Sequence, residues 1–96
     1  MASATTPPAF RAVLTIVNKR GLHARAAAKF VRLVEAHTAE IWVSRLDMRV
    51  SGSSIMGLMM LAASPGSEIA VEASGPGAEA ALDALRALVT GGFDEE

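Results

Sequence analysis

A glycine, a histidine and an arginine stand close together in Gly21-Leu22-His23-Ala24-Arg25, just ahead of the helix-forming run Ala26-Ala27-Ala28-Lys29-Phe30-Val31. His23 therefore falls where a loop becomes a helix, with a cation two residues on and no acid beside it in the sequence. A helix start gathers unpaired backbone N–H groups and about half a positive elementary charge. Anions settle there, phosphate above all. An imidazole at that spot can act as a nucleophile whose phosphorylated form is stabilised by its own backbone. The helix start and Arg25 both oppose a positive ring, which favours the neutral form with a free lone pair. A histidine here could also serve only as a cap or a surface residue, but Gly21 before it and Arg25 after it argue for chemistry. His37, at the exit of the same helix, reads as structural.

The charge pattern supports an anion-handling end. Before Glu35 there are six basic residues (Arg11, Lys19, Arg20, Arg25, Lys29, Arg32) and no acid, whereas the chain closes on Asp94-Glu95-Glu96. Lys29 and Arg32 fit a solvated helix face equally well; Arg25, in the first turn, fits the anion role better. Net charge is −1, which gives no general case for nucleic acid or membrane. The chain lacks cysteine, excluding disulfides and thiolate metal sites, and two histidines with scattered acids make no metal constellation. No cofactor is implied. The N-terminus has no basic region followed by an apolar run, and no apolar stretch approaches the roughly 18 residues of a membrane span. These features lead to the expectation of a cytoplasmic protein.

The elements that must position His23 follow from periodicity. Ninety-six residues, about half apolar, make one small domain. Residues 1–9 are expected to be a flexible tail, 10–92 the domain and 93–96 an acidic tail. Phe10, Ala12, Leu14 and Ile16 alternate as one strand face over Phe10 to Val17. From Ala24 to Glu35 the period becomes helical, with Ala27, Phe30, Val31 and Val34 as the apolar stripe. Residues 39–44 form a second strand, with Ile41 and Val43 inward. Met48 to Ser51 forms a third after a short turn near Leu46-Asp47. Ile55 to Leu61 reads as a short helix, Glu68 to Ala73 as the cleanest strand, and Ala78 to Thr90 as an amphipathic helix ended by Gly91-Gly92. The inward residues of that last helix are expected to be Ala78, Ala81, Leu82, Leu85 and Leu88. The order β-α-β-β-α-β-α, with strands polar on one face, predicts an α+β fold: an antiparallel sheet covered by helices on one side.

Gly21-Leu22-His23-Ala24-Arg25 and Ser54-Ile55-Met56-Gly57-Leu58-Met59-Met60, at this separation in so short a chain, resemble one family closely. It is the histidine-containing phosphocarrier family, HPr, of the phosphoenolpyruvate-dependent phosphotransferase system, known from bacteria. The resemblance covers roughly residues 10 to 90. It implies an open-faced β-sandwich, strand order 1-4-2-3, with three helices on one face. It also implies a carrier that turns over nothing alone. His23 would take a phosphoryl group on Nδ1 from Enzyme I and pass it to a IIA-type protein, with Arg25 stabilising the phosphate. The implied partner surface comprises Leu22, Ala24, Ile55, Met56 and Leu58, and a monomer is the simplest state for such a carrier. Within that helix, Leu58 and Leu61 also fit plain core.

Ser54 matches the serine that an ATP-dependent HPr kinase/phosphorylase modifies in many family members, and it equally suits an N-cap for the helix after it. Members often carry proline after the arginine; Ala26 stands here, which restores an N–H donor and resembles regulatory versions of the system. Sugar uptake and nitrogen- or metabolism-linked signalling both remain open. An alternative is a docking module without chemistry, controlled by phosphorylation of Ser54; relatives of that kind lose the histidine that this chain keeps. A nucleic-acid binder using the basic helix would lack an aromatic platform, since Phe10, Phe30, Trp42 and Phe93 are isolated.

Overall fold

Four runs of alternating apolar residues become strands, and three runs of helical period cover one face of the sheet they form. The structure, a computed structural model, describes residues 9–95; of the tail expected over residues 1–9, residues 1–8 lie outside it, as does Glu96, whereas Ala9 opens the first strand instead. The elements are β1 (Ala9–Thr15), α1 (Ala24–Glu35), β2 (Glu40–Arg45), β3 (Met48–Ser51), α2 (Ile55–Met60), β4 (Glu68–Ser74) and α3 (Ala78–Thr90), followed by a C-terminal turn at Gly92–Asp94. The sheet order is β1-β4-β2-β3, and every neighbouring pair is antiparallel. This is the open-faced α+β architecture that the resemblance implies.

The register explains the two faces. Ala12 pairs with Val71, Val71 with Val43, and Val43 with Val50, so one apolar row runs across all four strands toward the helices. One position along each strand the side chains reverse, because successive residues point to opposite sides. There Arg11 pairs with Glu72, Glu72 with Trp42, and Trp42 with Ser51 on the open face. The Arg49 guanidinium lies 4.4 Å from the Trp42 ring centroid and 3.4 Å from Glu72.

Between sheet and helices lies one core. Phe30, Ile16, Leu58, Leu61, Ile69, Leu85 and Phe93 are its largest fully buried members. Each such side chain contributes about 1.5–3 kcal/mol of hydrophobic stabilisation. α1 buries Ala26, Ala27, Phe30, Val31 and Val34, the expected stripe with Ala26 added. α3 packs on β1 and β4, and α1 packs on α2 and α3.

Departures from the expected elements have local causes. β1 stops at Thr15 because Ile16 leaves the ladder and pairs with the following turn: its N–H donates to Ser67 O, and its carbonyl accepts from Gly66 N–H. In α3, Val89 takes the buried position and Leu88 is only half-buried. The largest difference is at the C-terminus. Phe93, expected to begin an acidic tail, is fully buried. Gly92, Phe93 and Asp94 have φ of 70°, 58° and 60°, a left-handed turn that folds the chain back over the start of α1. For the two non-glycine residues this conformation costs about 1–2 kcal/mol each. Burial of the Phe93 ring offsets that cost.

Candidate functional site

His23 is the N-cap residue of α1. Its backbone is extended (φ −78°, ψ −180°), and its Nδ1 accepts the backbone N–H of Arg25 at 3.2 Å. Its own carbonyl accepts the N–H of Ala27 at 2.8 Å, the first intrahelical bond. The capping and chemical readings of His23 therefore coincide in one geometry: the cap points a ring nitrogen at the first-turn amides. The side chain is partly exposed, at 23 %.

The loop before His23 is held rigidly. Gly21 sits at φ +64°, and a Cβ there would lie 2.4 Å from the Ala63 carbonyl oxygen. That close approach lets Leu22 N–H donate to the same carbonyl at 2.9 Å. Glycine is required on both counts: the left-handed φ and the contact with neighbouring backbone. Asn18, the one buried polar residue described, spans the loop and donates from Nδ2 to the Gly21 carbonyl at 2.8 Å.

Structure supplies what the linear chain does not: an acid. Glu95 comes back over the helix start, and its Oε2 lies 2.5 Å from His23 Nε2. Its Oε1 accepts from Asn18 Nδ2 at 3.0 Å. Lys29 donates from Nζ to the Phe93 carbonyl at 2.7 Å, fixing the backbone just ahead of Glu95. The Asn18 amide hydrogen bond, followed by the His23 contact, holds the Glu95 carboxyl below its ordinary value; partial burial pushes the other way, and the charge of Lys29 adds a smaller lowering.

Around His23, a cleft is lined by Lys19, Arg20, Arg25, Lys29, Asp94 and Glu95. Four cations against two acids make it a place for an anion. Arg25 is exposed, and its guanidinium makes no ion pair among the described residues. Arg32, also exposed, is absent from the cleft lining, as a solvated face predicts. His37 binds the Leu33 carbonyl through Nδ1 at 3.0 Å and caps the end of α1, matching its structural reading.

Ser54 is the N-cap of α2, its Oγ accepting Gly57 N–H at 2.9 Å. Beyond it, Ile55, Met56, Met59 and Met60 are exposed, Met56 by 71 %, and Ala24 is exposed at the start of α1. Leu22 and Leu58 need correction as surface residues. Leu22 is 4 % exposed and Leu58 fully buried, because one plugs the loop onto the core and the other is the inward side of a short helix. The sequence reading missed Asn18 and Glu95 as site residues. The signal available for them was a lone large apolar residue, Phe93, between a glycine pair and the terminal acids.

Comparison with known proteins agrees with this arrangement. The family described as PTS HPr component phosphorylation site matches residues 10–91. The chain is similar to the phosphocarrier protein HPr of Neisseria meningitidis serogroup A, at 48 % identity over 82 residues, 85 % of this chain and 92 % of that protein. It is also similar to the phosphocarrier protein NPr of Shewanella violacea, at 45 % identity over 82 residues, 85 % of this chain and 90 % of that one. Among solved structures, an HPr from Thermoanaerobacter tengcongensis superposes with a TM-score of 0.86 at 39 % identity, covering 91 % of this chain and 98 % of its own. With the sheet order, the two motifs and the match over nearly the whole described chain, this chain belongs to the HPr family of phosphocarrier proteins of the phosphotransferase system.

Proposed function

We propose that His23 is the residue that carries the phosphoryl group, bonded through Nδ1, accepting it from Enzyme I and delivering it to a IIA-type protein. The observation that carries this reading is the Nδ1 lone pair, held over the N-terminus of α1 by the Arg25 amide in a partly exposed ring. A lone pair that accepts an N–H is unprotonated and available for attack. As Nδ1 bonds phosphorus, the Arg25 N–H loses its acceptor and turns to a phosphoryl oxygen, with no rearrangement of the helix. The phosphoryl group thus inherits the anion site of the helix start. Arg25 adds a mobile charge for the transferring group. Such a transition state asks for positioning and charge compensation more than for covalent work by the protein.

The carrier has no turnover of its own; both half-reactions require a partner. The exposed Ile55, Met56, Met59 and Met60, on a helix packed against α1, form an adaptable apolar patch for unlike partners. Ala24 extends that surface on the histidine side. Ser54 stands at the edge of the patch, where an HPr serine kinase/phosphorylase would place about two negative charges and so weaken docking. The carrier works in the cytoplasm as a monomer, without cofactor or metal. Among the described residues no helix is long and apolar enough to cross a membrane. Ala26 in the first turn, where family members often carry proline, supports a regulatory branch over sugar uptake.

Incubation with phosphoenolpyruvate and Enzyme I is expected to label the protein with an acid-labile, alkali-stable phosphate, and His23→Ala to abolish the label. Label persisting in that variant would assign the phosphoryl group elsewhere.

A further inference from the structure

We propose that Glu95 is a positioning residue for phosphoryl transfer: its carboxylate, tied down by Asn18, keeps the His23 hydrogen on Nε2 and offsets the charge the ring gains when Nδ1 bonds phosphorus. This rests on the reading that Nδ1 of His23 is the acceptor.

Two contacts on opposite sides of one ring leave a single neutral tautomer. Nδ1 accepts the Arg25 N–H at 3.2 Å and must offer a lone pair. Nε2 faces Glu95 Oε2 at 2.5 Å and must offer a hydrogen. The opposite tautomer would set two hydrogens against each other at Nδ1 and two lone pairs against each other at Nε2. A carboxylate on the far nitrogen is a general means of orienting a histidine that reacts through the near one.

The carboxylate is itself held in place. Its second oxygen takes the Asn18 amide at 3.0 Å, and the same Asn18 nitrogen binds the Gly21 carbonyl at 2.8 Å. One amide thus couples the carboxylate to the loop that presents the histidine. The turn before Glu95 is fixed by the buried Phe93 ring and by Lys29 on the Phe93 carbonyl.

The step balances without a proton leaving. The Nδ1 lone pair forms the new nitrogen–phosphorus bond. The donor histidine's nitrogen–phosphorus bond breaks, and the donor nitrogen keeps that electron pair. His23 then carries phosphorus on Nδ1 and hydrogen on Nε2, a cationic ring beside the Glu95 carboxylate. Delivery to the acceptor reverses this, with the retained hydrogen making Nδ1 a good leaving atom. In the other tautomer a proton would have to depart from Nδ1 before attack.

Nitrogen-15 NMR of histidine-labelled full-length protein, above the titration of the ring, measures the tautomer directly. Wild type is expected to show hydrogen on Nε2 as the dominant form. Glu95→Ala should lower the ratio of the two tautomers several-fold and slow phosphoryl acceptance from Enzyme I about tenfold. Glu95→Gln keeps an acceptor oxygen without the charge, so it should hold the tautomer near the wild-type ratio and still slow acceptance. An unchanged tautomer ratio in Glu95→Ala, or wild-type acceptance rates in both variants, would overturn the proposal. If wild-type protein takes no label, the carrier reading fails instead, and the tautomer spectrum still reports whether Glu95 holds the ring.

Discussion

At the scale of the residue, the site divides its tasks among few groups. His23 is held at both ring nitrogens, and Gly21 is held by a contact no other residue can make. Arg25 differs from them: it is exposed and makes no ion pair among the described residues. A charge that is free in the resting protein and engaged during transfer stabilises the transition state selectively. Arg25→Ala is therefore expected to leave the fold and its unfolding midpoint unchanged while slowing transfer from Enzyme I by about ten- to a hundredfold. Equal transfer rates would remove Arg25 from the mechanism. Arg25 was legible in the sequence because its spacing from His23 puts it in the first helical turn, and local spacing is what a sequence displays. Asn18 was not, because an asparagine in a loop reads as turn chemistry, and its amide acts on a residue far along the chain.

At the scale of the element, the two helix starts do unlike things with the same geometry. α1 begins on an imidazole, the proposed phosphoryl acceptor, and α2 begins on a hydroxyl, Ser54, that caps it. Ser54→Ala should cost about 1 kcal/mol in urea unfolding by leaving the Gly57 N–H without its acceptor. Ser54→Asp keeps a capping oxygen, so its stability should stay near wild type. Acceptance from Enzyme I should nevertheless slow, since the new charge sits beside the Ile55 and Met56 patch. Wild-type rates in the aspartate variant would leave Ser54 a cap alone. The ranges of α1 and α3 follow the periodicity of the sequence, because each has an apolar stripe long enough to define its period. Which methionines of α2 face outward required the structure. Its six residues make less than two turns, and nearly all are apolar. Leu58 was misplaced for the same reason; Leu22 was put at the surface by the family resemblance, and its burial shows only once its loop is seen bonded to the Ala63 backbone.

For the whole molecule, the decisive unread feature is the return of the C-terminus. Gly91-Gly92 ends a helix in any sequence reading, and a left-handed Phe93 defies residue preference. Only the empty place in the core that Phe93 fills makes the turn worthwhile, and that place exists only after the sheet and α1 are assembled. This closure has a pH dependence of definite sign. In the folded protein the Glu95 carboxyl is held below its ordinary value, chiefly by the Asn18 amide and then by His23, with Lys29 contributing. Its contribution to stability is thus fully present above the ordinary carboxylate range and is lost as pH falls through the lower folded value. Acidification from pH 7 should loosen residues 92–95 before the sheet unfolds. Protection of those amides against hydrogen exchange, corrected for the intrinsic pH dependence of exchange, and the ring shift of Phe93 would record it, and protection as high in acid as at neutrality would count against the closure. The sheet order and the layer of helices, by contrast, follow from alternation and element order, since four half-polar strands leave only one face to cover.

The seating of Phe93 also bears on how the protein can be handled. Anything fused beyond Glu95 hangs from the segment that pins the histidine ring, and a bulky tag or a surface-immobilised linker there would tug that segment off its seat. Ala9, by contrast, begins β1, and the six-residue rise to Thr15 sets it about 20 Å along the strand from the loop that carries the histidine. Affinity handles and fluorophores belong at that end, where a measurement of phosphate exchange would see the carrier undisturbed.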